Sequence, residues 1–216
     1  MKKIALLLCM MLSVQGFAQN QDEPATAILD ELKATFDGFS SVEMEFTLEI
    51  EIPEQGMETQ KGSIIQSGKK YKIDLDDQSI YCNGEIVWVH LKSNKEVQIN
   101  DFDEDMGGEM MSPKDLLNVY ESGEYEYALM NEERQDGVKV QQIEFKPTDK
   151  DSEYSKMRLS VLKGKKRIQQ VKVFGKDGTR FTMKVHKTLP NKEYSISTFE
   201  FDKSKFPEVY IEDLRL

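Results

Sequence analysis

Cysteine and histidine are scarce in this chain, with two of each among 216 residues. Cys9 belongs to an apolar N-terminal segment, so Cys82 alone remains for the folded part and no internal disulfide can form. Cys82 has no CxxC partner, and His90 and His186 have no serine, cysteine or metal-ligand motif beside them in the sequence. We therefore do not expect an enzyme, a metal site or a bound cofactor.

Basic residues are also fewer than acidic residues in this chain. The chain has 29 lysines and arginines against 39 aspartates and glutamates, which gives a formal net charge of −10. This balance argues against sequence-independent binding to nucleic acid or to an anionic membrane surface. Because the sequence contains no nucleotide-binding motif either, any process driven by ATP needs a second protein.

The first 18 residues have the order of a secretory signal peptide. Lys2 and Lys3 precede an apolar run over residues 4–14, and Gly16 and Ala18 are the small residues of a cleavage site. The run is shorter than the ~20 residues of a membrane-spanning helix. Cys9 lies inside the run and not at its end, which argues against a lipid anchor. The sequence predicts export to the periplasm with cleavage after Ala18, leaving residues 19–216 as one domain.

One amphipathic helix is predicted at the start of this domain. Asp22 can cap it, Pro24 suits its first turn, and Gly38 ends it. Its apolar stripe consists of Ala25, Ile28, Leu29, Leu32 and Phe36.

From residue 42 the period changes to two, which is typical of a strand with one apolar face. That face consists of Val42, Met44, Phe46, Leu48, Ile50 and Ile52. Further strands are predicted at residues 62–66, 70–75, 124–130, 139–145, 156–162, 167–174, 180–186 and 193–201. With a three-stranded meander over residues 78–99, about eleven strands separated by short turns predict one antiparallel sheet that curls into an open or closed barrel.

The meander over residues 78–99 contains the only tryptophan in the chain. Asn83-Gly84 suits a two-residue hairpin turn with positive φ angles, and Trp88 lies near the centre of the next strand. Trp88 is expected either on the inner wall of the barrel or in the packing behind it.

An acidic loop with methionines interrupts the strands between residues 101 and 123. Asp101, Asp103 and Asp105 have calcium-loop spacing, but Met106 stands where that loop needs glycine and Ser112 where it needs glutamate. We therefore expect a solvated loop. A short helix follows, capped by Ser112 with Pro113 in its first turn; its apolar face consists of Leu116, Leu117 and Tyr120.

Several short motifs resemble the periplasmic outer-membrane lipoprotein carrier family, LolA. They are SVEMEFT at residues 41–47, KGSII at 61–65, YKI at 71–73, NGEIVWV at 83–89, IQQV at 168–171, FEF at 199–201 and FPEV at 206–209. The resemblance covers nearly the whole mature chain. It implies a strongly curved, unclosed β-barrel, with two to three short helices forming a lid over an apolar cavity that holds acyl chains.

The resemblance also implies a function and partners. A member of this family shuttles acylated lipoproteins from an ABC-type extractor in the inner membrane to an outer-membrane acceptor, and works as a monomer. The expected lining of cavity and lid consists of Leu29, Leu32, Met44, Phe46, Leu48, Ile50, Ile64, Tyr71, Ile73, Trp88, Met110, Met111, Leu116 and Leu117.

One feature departs from the family pattern. Family members have an arginine before a proline after the second strand, where it latches the lid. The corresponding region here, residues 66–70, has Lys69 and Lys70 and no arginine. An ammonium group does not reproduce the planar fork of a guanidinium, so the latch is in question.

Three alternatives to a lipoprotein carrier stay open. The same barrel suits a regulatory protein that senses lipid or lipoprotein, a carrier of another amphiphilic lipid, or a lipid-processing enzyme. An apolar cavity selects its ligand by the volume of the apolar chain more than by the head group. The sequence therefore does not distinguish these three functions from that of a lipoprotein carrier.

The signal peptide makes a direct prediction. When the full chain is expressed in a bacterium and recovered from the cell envelope, its intact mass should correspond to a chain that begins at Gln19. Replacing Ala18 with a bulky residue should leave the leader attached, because the cleavage site needs a small side chain. A mass that still includes residues 1–18 in the unaltered protein would contradict the prediction.

Overall fold

The computed structural model describes residues 22–102, 117, 120–135 and 137–215. The predicted leader, most of the second predicted helix and four predicted lining or loop residues lie outside these ranges; the four are Met106, Met110, Met111 and Leu116. The described elements are α1 (Glu23–Asp37), β1 (Val42–Ile52), β2 (Gly56–Ser67), β3 (Lys70–Leu75), β4 (Gln78–Cys82), β5 (Ile86–Leu91), β6 (Glu96–Asp101), β7 (Tyr125–Gln135), β8 (Val138–Pro147), β9 (Tyr154–Leu162), β10 (Ile168–Gly175), β11 (Arg180–Pro190) and β12 (Tyr210–Asp213).

The strands form one curved sheet that does not close. Their order is β12-β6-β5-β4-β3-β2-β1-β11-β10-β9-β8-β7, so β12 and β7 are its two edges. Two meanders, β1 to β6 and β7 to β11, meet where β1 pairs with β11. The predicted open, mainly antiparallel barrel is confirmed, with twelve strands where the sequence predicted about eleven.

Helix α1 lies on one face of this sheet, which we call the inner face. Its buried residues Ala25, Leu29, Leu32 and Phe36 belong to the same apolar cluster as residues from β1, β2, β3 and β7 to β11. A helix of 15 residues can share a cluster with eight strands only if the sheet curves around it. The N-terminal cap is the predicted one, because the Asp22 side chain accepts a hydrogen bond from the Ala25 amide.

The pairing of β1 with β11 is long and regular. It runs from Val42 opposite Pro190 to Glu51 opposite Arg180, with a bulge at Glu45/Phe46 that leaves His186 as the extra residue of β11. On the outer face, acidic residues of β1 form ion pairs with basic residues of β11 and beyond it. The pairs are Glu43–Lys192, Glu45–Lys187, Glu49–Lys184 and Glu51–Arg180.

The C-terminal part of the chain differs from the prediction. Residues 193–201 do not form the predicted strand; they include a 3-10 turn at Ile196–Phe199, and another follows at Lys203–Lys205. The segment leaves the sheet after β11 and packs from outside, where Phe199 is buried and Ile196 is exposed. The twelfth strand was missed in the sequence, and it pairs with β6 in parallel.

The Asn83-Gly84 turn is also wider than predicted. Gly84 has a φ of +95°, while Asn83 is not among the residues with positive φ. Cys82 pairs with Val87, so four residues separate the paired ends of β4 and β5. The Asn83 side-chain oxygen accepts hydrogen bonds from the amides of Glu85 and Ile86, which stabilises this longer loop.

Within the described ranges, no helix is both long enough and apolar enough to cross a lipid bilayer.

Gly62 allows close packing at the centre of the sheet, and it provides a test of that packing. A Cβ atom there would overlap two ring carbons of Phe46 and would lie 2.8 Å from Cδ2 of Leu75. We expect Gly62→Ala to lower the free energy of unfolding by about 1–3 kcal/mol in urea denaturation, because overpacking displaces the Phe46 ring. The control Ser63→Ala, on the opposite face of β2, should change it by less than about 0.5 kcal/mol. Equal stability of both variants would show that the ring moves aside freely.

Candidate functional site

The inner face of the sheet carries a continuous apolar surface. Along β1 the apolar side chains occupy every second position, and the register places Met44 beside Ile64 of β2, which in turn lies beside Ile73 of β3. On the other side of β1, Leu48 lies beside Met183 of β11. The alternation in β1 therefore continues across neighbouring strands as rows of apolar side chains.

Burial changes along this surface. Met44 is 1% exposed and Phe46 is 7% exposed, because they lie within the apolar cluster that includes α1. Farther along β1, Leu48 and Ile50 are only half-buried. So are their neighbours on β10 and β11. We call this half-buried set the apolar trough; it consists of Leu48, Ile50, Val171, Val173 and Met183.

The trough is continuous with the buried interior. Leu48, Val171, Val173 and Met183 all pack against the core cluster that contains Leu29 and Leu32 of α1. An apolar chain lying in the trough would thus meet the covered part of the inner face with no polar barrier from these residues. Chemically, the arrangement suits the burial of methylene groups.

Polar contacts hold α1 to edge strand β7. Oδ2 of Asp22 accepts a hydrogen bond of 2.9 Å from the Leu129 amide, at the bulge of β7. The hydroxyls of Thr26 and Tyr127 lie 3.1 Å apart. The helix therefore covers an edge amide as well as the inner face.

A second group of contacts ties α1 to the residues just before β7. Tyr120 donates a hydrogen bond of 2.7 Å to Asp30, and burial and Asp30 raise the pKa of Tyr120. Lys33 lies 3.2 Å from Glu121, which raises the pKa of Lys33. These polar contacts lie at the rim of the sheet and are separate from the hydrogen bonds between its strands.

The structure brings together most of the predicted lining residues. Leu29, Leu32, Met44, Phe46, Ile64, Ile73 and Leu117 are buried in the core cluster. Leu48 and Tyr71 pack at its edge, and Ile50 is half-buried on the same face of β1. Met110, Met111 and Leu116 lie outside the described residues. Whether any of these side chains binds a lipid remains a prediction.

Trp88 is on the other face of the sheet. Val89 pairs with Ile80, which pairs with Ile73 on the inner face, so Trp88 points outward beside Tyr81 and Ile99. Its inclusion in the inner lining is therefore a misplacement. In β5 the apolar run Ile86–Leu91 is not alternating, and the outer face there is covered by C-terminal residues, so the usual signal of an inner face is lost.

Sequence reasoning missed the contribution of the second meander. Ile143 and Phe145 of β8 and Leu159 of β9 are at most 1% exposed and belong to the same cluster. The alternation of apolar residues in β9, from Met157 to Val161, indicated in the sequence that this strand also has an apolar inner face.

A cleft of about 970 Å³ lies on the outer face, between strands β3 to β5 and residues 197–209. Asp74 lies in its floor, where it accepts hydrogen bonds from Ser79 at 2.6 Å and Lys92 at 2.8 Å. These hydrogen bonds outweigh desolvation, the largest single influence, and leave the pKa of Asp74 below its ordinary value. Charged walls make this cleft unsuited to acyl chains.

The three residues considered for catalysis are held in structural contacts. Burial raises the pKa of the Cys82 thiol, whose Sγ accepts a hydrogen bond from the Gly84 amide. Nε2 of His186 lies 2.7 Å from the Thr47 hydroxyl on the outer face. His90 packs against Phe201 and Phe206. In the described part of the chain, no group of three acidic, histidine or cysteine residues is placed to hold a metal ion.

Comparisons with known proteins concern the fold. A family model described as "Uncharacterized protein" matches residues 76–200. No curated protein matches the chain. An uncharacterized conserved protein from Thermus thermophilus has a similar structure over 88% of this chain and 99% of its own, with 11% identity and a TM-score of 0.58.

Two further solved structures have lower scores. A putative outer membrane lipoprotein-sorting protein domain from Vibrio parahaemolyticus matches 80% of this chain and 94% of its own, with 16% identity and a TM-score of 0.44. A LolA superfamily protein from Nitrosomonas europaea matches 82% of this chain and 97% of its own, with 13% identity and a TM-score of 0.43. Solved structures similar to this chain thus include a LolA superfamily protein, at low sequence identity.

The contacts of Asp22 generate a test of how α1 is held. We expect Asp22→Ala to destabilise the protein by about 0.5–2 kcal/mol, the usual range for a lost cap. Hydrogen exchange should speed up at the Leu129 amide and in the first turn of α1. Glu23→Ala removes the same charge from an exposed neighbour and should leave the Leu129 amide protected. Unchanged exchange at Leu129 in Asp22→Ala would show that the helix is held by its apolar face alone.

Proposed function

This chain belongs to the uncharacterized protein family whose model spans residues 76–200, and from its inner face we propose that it is a periplasmic carrier of acylated lipoproteins. The carrier binds acyl chains on the inner face of the open barrel and shuttles the cargo from the inner to the outer membrane. One observation carries the proposal: the apolar trough is half-buried and continuous with the apolar cluster under α1.

Release of the cargo requires that burial be incomplete. Each buried methylene contributes about 0.8 kcal/mol, so three chains of about fifteen methylenes would give roughly 36 kcal/mol if wholly buried. Non-covalent affinities saturate near ~20 kcal/mol. A carrier with full burial would never deliver its cargo, whereas a trough open on one side keeps part of each chain in contact with water.

Helix α1 lowers the net affinity further. Leu29 and Leu32 of the helix are fully buried in the apolar cluster on the inner face. A chain that enters beyond the trough must displace them, and the apolar contacts it gains offset the contacts that α1 loses. Helix α1 therefore competes with the acyl chain for the inner face, and the return of the helix to that face favours release of the cargo.

The proposal includes partners outside this chain. An ABC-type extractor in the inner membrane supplies the energy for loading, and an outer-membrane acceptor with higher affinity takes the cargo. Export by the leader places the protein in the periplasm between them. The role is binding without a catalytic step.

Substitution in the trough tests the proposal. Met44 is 1% exposed, so a charge there would threaten the fold, whereas Leu48 is half-buried and lies at the start of the trough. Leu48→Glu should weaken binding of a fluorescent fatty-acid probe and of a triacylated lipopeptide by tenfold or more. Loss of the apolar contact of one leucine alone reduces the free energy of binding by about 1.5–3 kcal/mol.

Thr47→Glu is the matched control, because it introduces the same charge one residue away on the outer face. Thr47 lies between Lys61 and Lys184 in the neighbouring strands, which can pair with the new carboxylate. Binding should stay within about twofold of the unaltered protein. Equal loss in both variants, or no loss in Leu48→Glu, would remove the trough from the proposed site. Native mass spectrometry of protein recovered from cell envelopes then identifies the cargo, and phospholipid in place of lipoprotein would contradict acylated lipoproteins as the cargo.

A further inference from the structure

The segment between β11 and β12, residues 191–209, crosses the outer face of the sheet; we call it the strap. It leaves β11 in the middle of the sheet and ends beside β6, so it passes over β1 to β5. At its start, the Asn191 amide donates to the Ser41 carbonyl at 2.8 Å, and Tyr194 donates to Glu43 at 2.6 Å. At its end, the Tyr210 amide donates to the Lys95 carbonyl at 2.9 Å.

His90 of β5 is the residue of the sheet around which the strap packs. Its ring centroid lies 4.7 Å from that of Phe206 and 5.4 Å from that of Phe201, in edge-to-face arrangements. The two phenylalanines stack on each other at 5.4 Å. His90 is 4% exposed, and none of the described residues offers a hydrogen bond to its Nδ1. His90 also lines the outer-face cleft. A neutral imidazole can leave Nδ1 unprotonated there, whereas an imidazolium would place an N–H without a partner and a charge against the two phenylalanine rings.

Charged groups of the surrounding elements largely neutralise one another. Lys92 of β5 lies 2.8 Å from Asp74 of β3, and Lys72 lies 3.7 Å from the same carboxylate. On the strap side, Lys95 pairs with Glu208 at 3.1 Å and Lys205 with Asp202 at 3.5 Å.

Two titratable residues of the cleft lining remain. Glu200 of the strap lies 3.5 Å from the Asn83 side-chain amide, and Tyr81 of β4 packs its ring against Phe201. Taken together, these groups give His90 no carboxylate of its own as a partner.

We propose that His90 is a pH-sensitive latch, whose neutral ring holds the strap on the outer face and whose protonation in mildly acid solution releases the strap together with β12. The proposal concerns the outer face and does not depend on what the inner face binds.

The direction of the pH effect on strap docking follows from proton linkage. Desolvation, followed by the charge of Lys92, lowers the pKa of His90 below its ordinary 6.5, and Asp74 opposes this shift more weakly. With the strap released, His90 is in water and regains the ordinary pKa. The released form therefore binds more protons, so the contribution of the neutral ring to strap docking is fully present above pH 6.5 and is lost as the pH falls through the window below it. The equilibrium can shift by at most about tenfold per pH unit in that window.

Release would uncover a defined surface. Phe199 is 2% exposed and Val209 is 7% exposed in the docked strap, and Val97 of β6 is fully buried. Loss of β12 would also leave the backbone of β6 as a free edge, because β12 pairs with β6 from Tyr210 to Asp213.

Hydrogen exchange of the mature protein at pH 7.5 and pH 5.0, corrected for intrinsic rates, tests the latch. We expect protection of residues 199–213 to fall about tenfold at pH 5.0, while β8 and β9 stay protected. His90→Phe keeps an aromatic ring without a titrating group and should abolish the pH dependence. The chain has one other histidine, so His186→Gln is the matched control and should behave as the unaltered protein does.

Two results would overturn the proposal: equal protection of the strap at both pH values, or an unchanged pH response in His90→Phe. If His90→Phe fails to fold, an NMR titration of the unaltered protein decides the matter, with the His186→Gln spectrum assigning the two histidines. The latch requires the pKa of His90 to lie below its ordinary value and the ring signals of Phe201 and Phe206 to shift in the same step. Titration of His90 without any change in those rings would refute it.

Discussion

The pairing of β1 with β11 is the interaction on which the rest of the fold depends, because it joins two meanders into one sheet. Each meander alone has one apolar face and would leave it in water. Once β1 and β11 pair, their apolar rows become continuous, and the sheet can curve around α1. The ion pairs on the outer face of the two strands contribute little stability individually at the surface. Their regular order, acid on β1 and base on β11, does favour this register over its neighbours.

The same pairing divides the inner face into two parts with different properties. Toward Met44 the surface is covered by α1 and packed as a core, and toward Ile50 it is only half-covered. A core that is completely filled binds nothing, and a fully open apolar face invites aggregation. The burial gradient along β1 lies between these extremes. It depends on a helix whose described polar contacts lie at the rim of the sheet.

Much of the fold could be predicted from the sequence because side chains alternate between the two faces of a strand. Met44 and Phe46 were placed correctly by that rule, as was the α1 stripe by its helical spacing. Trp88 escaped the rule because β5 is covered on both faces, so its apolar residues do not alternate. Phe199 and Phe201 were read as part of a strand because alternation looks the same in a segment that packs onto a sheet from outside. The parallel pairing of β12 with β6 could not be foreseen, since no short turn connects the two strands. The binding role of the trough is a proposal, because apolar rows in a core and in a cavity have the same pattern.

The side-chain contacts between β1 and the C-terminal region join residues 129 to 151 positions apart in the sequence. Contacts between residues so far apart in the sequence slow folding, because the entropy of closing the loop is lost before the contact forms. The first six strands are synthesised long before β11. The edge of β1 that pairs with β11 therefore stays unpaired until β11 is made, and the edge of β6 that pairs with β12 stays unpaired even longer. Strands β11 and β12 thus complete the pairing of β1 and β6, which come much earlier in the sequence. Truncation near the C-terminus, which would look harmless on a diagram of the core, would leave the folding of the N-terminal meander unfinished.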